Sequence, residues 1–135
     1  MKSLLPIAIV LALATAYGLW YQRSRGKVVV KSDKGLITPV MIGAELGARV
    51  TLVQFSSAFC SPCRATRMLL EDVTAEMSHV AYVEIDAEAN LELVRTLDIR
   101  STPTTLFLDR TGHEVGRAMG APKRDQVLSA ISAIH

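Results

Sequence analysis

The feature that most restricts the fold of this chain is a change of hydrophobic period at two cysteines. Residues 49–57, with Val50, Leu52, Val53 and Phe55, form a near-continuous apolar run of the kind buried on both faces of a helix-covered sheet. Beyond Phe59-Cys60-Ser61-Pro62-Cys63-Arg64 the pattern turns helical. Thr66, Leu69, Leu70, Val73 and Met77 share one face through Ser78, with Arg67 and Glu71 expected to pair across the outer face.

Cys60 and Cys63 are the only cysteines in 135 residues. Lying in one local motif, they staple no long loop and read as redox or metal chemistry rather than as a framework. Two thiols at a strand-to-helix junction can make and break a disulfide without large backbone movement. The alternative, a zinc half-site, needs two further ligands. His79, His113 and His135 show no ligand-like spacing, so no metal is expected.

The net charge of +2 conceals an asymmetry. Residues 1–34 carry six Lys/Arg against one acid, or +5, and residues 35–135 carry nine against twelve, or −3. The basic charge belongs to the N-terminal segment, so no nucleic-acid binding is expected of the domain.

From Leu4 to Tyr21 no residue is charged. As helix this run spans about 27 Å, close to the hydrocarbon thickness of a bilayer. Pro6 falls in the first turn, and Tyr17, Trp20 and Tyr21 gather at one end, as aromatic residues do at a membrane interface. The expectation is a single-pass anchor contacting lipid through residues 4–21. A cleaved signal peptide is the competing reading, with Lys2 and Ala14-Thr15-Ala16 in place, but the apolar run continues past that cleavage site. Arg23, Arg25, Lys27, Lys31 and Lys34 follow the run, against Lys2 before it. The positive-inside rule therefore puts the domain on the cytoplasmic side of a cell membrane.

The division expected is an anchor over 1–22, a basic juxtamembrane linker over 23–35, and a folded domain over 36–135 whose first strand begins as early as 28. Val28-Val29-Val30 is β-prone, and residues 31–49 read as loop with a helical turn around Met41–Leu46. His79–Asp86 alternates as a strand with Val83 and Ile85 inward. Glu88–Asp98 reads as a helix presenting Leu91, Val94 and Leu97. Thr104–Leu108 and His113–Met119 form a hairpin about Asp109–Gly112, and Lys123–Ile134 closes the chain as a helix packing Val127, Leu128, Ile131 and Ile134. This order predicts an α/β fold, a central mixed sheet flanked by helices.

Four features together resemble the thioredoxin family over roughly residues 28–135: the Cys60-Ser61-Pro62-Cys63 motif between buried strand and helix, Ile85-Asp86 ending the next strand, Ser101-Thr102-Pro103-Thr104, and Gly120 before the last helix. Among its members, the chain is most similar to the membrane-anchored thioredoxin-like proteins of bacteria. The resemblance implies a thioredoxin-like fold, a cis Pro103 facing the dithiol, and a redox-active Cys60–Cys63 disulfide with no other cofactor. It implies disulfide-containing protein substrates, bound by Phe59, Ser61, Pro62, Thr102, Pro103 and Gly120, and an electron donor that the residues do not identify. On chemistry alone, a cysteine at a helix N-terminus has its thiolate favoured by unpaired N–H groups and the helix dipole. Cys60 is thus the expected nucleophile and Cys63 the resolving thiol.

The chain departs from the family pattern where it matters. A buried Asp and its Lys partner are replaced by Gln54 and Tyr82, and an amide cannot act as a base. Glu84, on the strand face of Tyr82, is a candidate substitute; a surface acid is the plainer reading. Phe59 stands for the usual Trp, Met68 for a helix proline, Ser61 for Gly and Thr102 for Ile. The reading is a protein-disulfide reductase. Oxidation or isomerisation of secreted proteins follows if the domain faces outward, and a non-enzymatic redox sensor or peptide-binding scaffold if turnover is lost.

Overall fold

A computed structural model describes residues 4–24, 28–29 and 35–134. Arg25, Lys27, Lys31 and Lys34, counted above for orientation, lie outside the described residues, as do Lys2, Val30 and His135. The N-terminal helix, α1 (Leu4–Ser24), exposes its apolar side chains throughout, and the rings of Tyr17 and Tyr21 stack 6.2 Å apart near its end. It is long and apolar enough to cross a membrane, a property that signal sequences share.

Among the described residues the domain has five strands: β1 (Val28–Val29), β2 (Val50–Ser56), β3 (Val80–Asp86), β4 (Thr104–Asp109) and β5 (Glu114–Met119). They lie in the order β1-β5-β4-β2-β3, with β2 parallel to β3 and antiparallel to β4. Every residue of β2 is buried, as its near-continuous apolar run leads one to expect, the polar Thr51, Gln54 and Ser56 included. One face of the sheet packs Leu52 and Phe107 against Leu70 and Val73 of α3 (Ser61–Ala75) and Val127 and Ile131 of α5 (Arg124–Ala133). The opposite face packs Val53, Phe55, Ile85 and Leu106 against Ile42 of α2 (Pro39–Ile42) and the Leu93, Val94 and Leu97 region around α4 (Leu91–Thr96). This is the expected mixed sheet with helices on both faces.

Several local expectations are corrected. The turn α2 begins at Pro39, ahead of the expected Met41. Thr38 caps it by accepting from the Met41 N–H, Pro39 supplies a ready-made helical φ, and Gly43 ends it at φ 67°. The helix expected from Glu88 starts three residues later because the preceding segment is a turn. Asp86 accepts the Glu88 N–H on its carboxylate and the Asn90 side-chain amide on its carbonyl. Leu91 is consequently exposed and Leu93 packs in its place. The helix α3 ends at Ala75, short of Ser78. On β3, Tyr82 packs on one layer while Val83 and Ile85 pack on the other, so the strand has no single inward face.

Gly112 closes the β4–β5 turn at φ 95°, and a Cβ there would stand 2.2 Å from the Ile37 carbonyl oxygen. That carbon-free space lets Ile37 N–H donate to the Gly112 carbonyl at 2.9 Å, tying the segment before α2 to the hairpin.

Candidate active site

The two cysteines sit where β2 hands over to α3, and they are joined as a disulfide with Cα atoms 5.2 Å apart. Their surroundings differ. Cys60 is the N-cap of α3, partly exposed, and its sulfur accepts the Cys63 N–H at 3.2 Å. Cys63 is 1% exposed. Ser61 and Pro62 form the exposed first turn, where a proline lacks only an N–H that the helix leaves unused. No acid lies in that first turn, so the positive end of the helix faces Cys60 unopposed from within α3.

Phe59 precedes the pair at φ 57°, a left-handed turn that throws its ring fully into solvent. A groove of about 710 Å³ runs beside it, with Cys60, Arg64, Arg67 and Met68 in its walls and no carboxylate among them. The chamber beside the dithiol thus carries the cation Arg64 in its wall, Arg67 being paired to Glu84, with an apolar rim of Phe59 and Met68.

On the other side, the Ser57 hydroxyl lies 2.8 Å from that of Thr102. The Thr102–Pro103 peptide bond is cis, and the Pro103 carbonyl accepts the Gly120 N–H at 2.8 Å. Gly120 adopts φ 91°, a conformation open to glycine. The structure thus brings Thr102, Pro103 and Gly120 into one bonded set that meets the dithiol loop through Ser57. Residues from three separate stretches of sequence converge here because β2 lies next to β4, and β4 next to β5.

Gln54 is buried in β2, where its side-chain amide bridges two elements. Its Nε2 donates to the Cys63 carbonyl at 2.9 Å, and its Oε1 accepts the Tyr82 hydroxyl at 2.6 Å. The positions read as a lost ionic pair are thus a neutral hydrogen-bonded pair. Glu84 is not a free surface acid: its carboxylate is 3.4 Å from the Tyr82 hydroxyl and 2.6 Å from Nε of Arg67. Arg67 therefore turns to Glu84 on β3 rather than to Glu71 on its own helix as expected. Burial first, then the nearby Glu84 charge, push the Tyr82 hydroxyl's pKa well above its ordinary value, so it stays a donor.

Two supports were not anticipated. The Glu88 carboxylate accepts the Ala58 N–H at 3.2 Å, and Ala87 N–H donates to the Ser56 carbonyl at 2.8 Å, steadying the loop that carries Phe59. Only the parallel β2–β3 register brings these residues level. Among the described residues no cluster of His, Cys, Asp and Glu is arranged to hold a metal ion.

Comparison with known proteins agrees with this geometry. A family model described as Thioredoxin matches residues 44–133, more than half of the chain. The thioredoxin of Chlamydia pneumoniae is 31% identical over 87 residues, covering 64% of this chain and 84% of that protein. Thioredoxin H2-1 of Oryza sativa subsp. japonica is 29% identical over 87 residues, and the chain spans 62% of its length. The X-ray structure of Fasciola hepatica thioredoxin superposes with a TM-score of 0.57 at 27% identity, over 64% of this chain and 81% of that one. With the matched fold carrying Cys60 and Cys63 at the start of α3, this chain belongs to the thioredoxin family.

Proposed function

We propose that the chain is a membrane-tethered thiol–disulfide oxidoreductase that reduces disulfides in partner proteins. The observation that carries this reading is the unequal setting of two bonded sulfurs: Cys60 caps α3 beside an open groove, and Cys63 is buried behind it. In the reduced chain the Cys60 thiolate, favoured by the Cys63 N–H and the helix dipole, attacks one sulfur of a substrate disulfide. A Cys60–substrate disulfide forms and the other substrate sulfur leaves as a thiolate. Cys63 then gives up its proton to water and attacks the Cys60 sulfur, releasing the second substrate thiolate. The substrate gains two electrons and, from water, two protons, and the chain is left with the Cys60–Cys63 disulfide. A dithiol donor returns it to the reduced state by the same exchange in reverse. No cofactor beyond this disulfide enters the scheme.

Phe59, Ser61, Pro62, Thr102, Pro103 and Gly120 are the proposed substrate-binding set. An extended substrate segment lies along the Thr102 backbone, and the groove beside the Arg64 cation favours one that carries acidic residues. Helix α1 anchors the chain in lipid, and the basic residues that follow it favour a cytoplasmic domain.

The full chain in detergent, given dithiothreitol as donor, should reduce insulin with turnover, while Cys63→Ser should accumulate a covalent complex. Failure with every donor would leave the redox-sensor or scaffold reading, which Gln54 favours by standing where a buried base is otherwise expected. Reporter fusions at the C-terminus test topology. An active periplasm-type reporter would overturn the cytoplasmic assignment and favour oxidation or isomerisation, because direction follows compartment.

A further inference from the structure

The Gln54 amide has one possible orientation. A carbonyl oxygen can only accept, so Nε2 must face Cys63 and Oε1 must face Tyr82. The single phenolic proton of Tyr82 is then committed to Gln54, at 2.6 Å, and not to Glu84, at 3.4 Å. The charged groups around this hydroxyl are Glu84 on β3, and Arg67 and Glu71 on α3. Arg67 holds the Glu84 carboxylate at 2.6 Å and so draws the competing acceptor toward α3. The result is a chain of bonds from the surface of α3, through β3 and β2, back to the backbone of the resolving cysteine.

We propose that Tyr82 is a positioning residue for Cys63. Acting through the Gln54 amide, it pins the first turn of α3 against β2 and presents the Cys63 sulfur to Cys60 in the release step. The proposal rests on the dithiol-exchange reading. In that step the Cys63–Cys60 bond forms as the Cys60–substrate bond breaks, and the Cys63 proton passes through water to the departing substrate sulfur. No side chain at position 54 takes the proton. Placement of the attacking sulfur, rather than a buried base, sets the rate.

The test uses the pre-reduced full chain in detergent with 5,5′-dithiobis(2-nitrobenzoate), whose two thiolates are released in sequence. The first reports attack by Cys60 and the second reports release by Cys63. Tyr82→Phe should slow the second phase about tenfold or more while leaving the first nearly unchanged, as small misplacements of reacting atoms do. An unchanged ratio of the two phases would overturn the proposal. Gln54→Glu supplies the independent arm. While protonated, the carboxyl can still donate to the Cys63 carbonyl and accept from Tyr82, so release should match wild type. As pH rises and the group ionises, the donor is lost and release should fall behind wild type. A release rate that instead climbs above that of wild type on ionisation would show that position 54 wants a base, and would also overturn the proposal. Absence of the first phase in the wild-type chain would remove the exchange reading itself, and the positioning role with it; a defect confined to the second phase is the signature of positioning.

Discussion

Arg117 and Glu114 form a two-pronged ion pair on β5 that is almost wholly removed from water. The guanidinium meets the carboxylate at 2.5 and 2.8 Å, and the two residues are 3% and 6% exposed. Its other N–H groups donate to the carbonyls of Leu97 and Asp98, at 2.9 and 3.1 Å. The pair therefore fastens the end of α4 to the hairpin. Arg117→Ala should destabilise the domain by about 3–5 kcal/mol, because it leaves a buried carboxylate uncompensated. Replacing both residues with apolar ones, Glu114→Leu with Arg117→Met, should recover much of that loss. Urea unfolding of the three chains checks the order.

The unequal burial of the two sulfurs makes a kinetic prediction. In the reduced chain, iodoacetamide should modify Cys60 about tenfold or more faster than Cys63, since reactivity follows thiolate character and access. Peptide mass mapping after a short pulse distinguishes the sites. Equal labelling would mean that α3 opens on reduction.

Asp109 links stability to pH. Burial opposes its ionisation, but hydrogen bonds from the Thr111 hydroxyl and the His113 and Thr111 N–H groups outweigh it and hold its carboxyl below the ordinary value. A lowered folded pKa gives a contribution that is complete above the unfolded value, about 3.9, and is lost as pH falls through the folded one. Asp109→Asn should therefore be less stable than wild type at neutral pH, with the gap closing in acid. Asp109→Ala, which also loses the turn's acceptor, should cost on the order of 1–2 kcal/mol. Thermal melts across pH 2–7 follow both, a range that brackets the carboxylate titration.

Gly112→Ala should destabilise by roughly 1–3 kcal/mol, since the new carbon meets the Ile37 carbonyl at a left-handed turn. Gly43→Ala is the comparison. That position is also left-handed, at φ 67°, but a Cβ there meets nothing within 4 Å. The difference between the two in denaturant midpoint isolates the steric part.

Strand β2, helix α3 and the dithiol between them were legible in the sequence because each is announced locally. A near-continuous apolar run, a helical period and a cysteine at the start of that period are all read from neighbouring residues. The bounds of α4 were less legible. Its period extends over Glu88–Asp98, but Asp86 claims the first residues for a turn, and Asp98 lies past its end at φ 55°. Arg67 had a suitable partner one turn away in Glu71, yet it bonds Glu84 on the adjacent strand. Glu114 and Arg117 fall in the strand expected over His113–Met119, and nothing in their spacing announces burial.

Chain order by itself therefore determined the layered α/β domain, the apolar N-terminal helix and the position of Cys60 at the head of a helix. These depend on periodicity and on backbone preferences that act over a few residues. Only the tertiary structure decided what Gln54 does. Its two partners come from different elements, Tyr82 being 28 residues away, and they meet because β2 and β3 run parallel in one register. A buried amide must satisfy both ends, and which groups satisfy it is set by packing rather than by sequence distance.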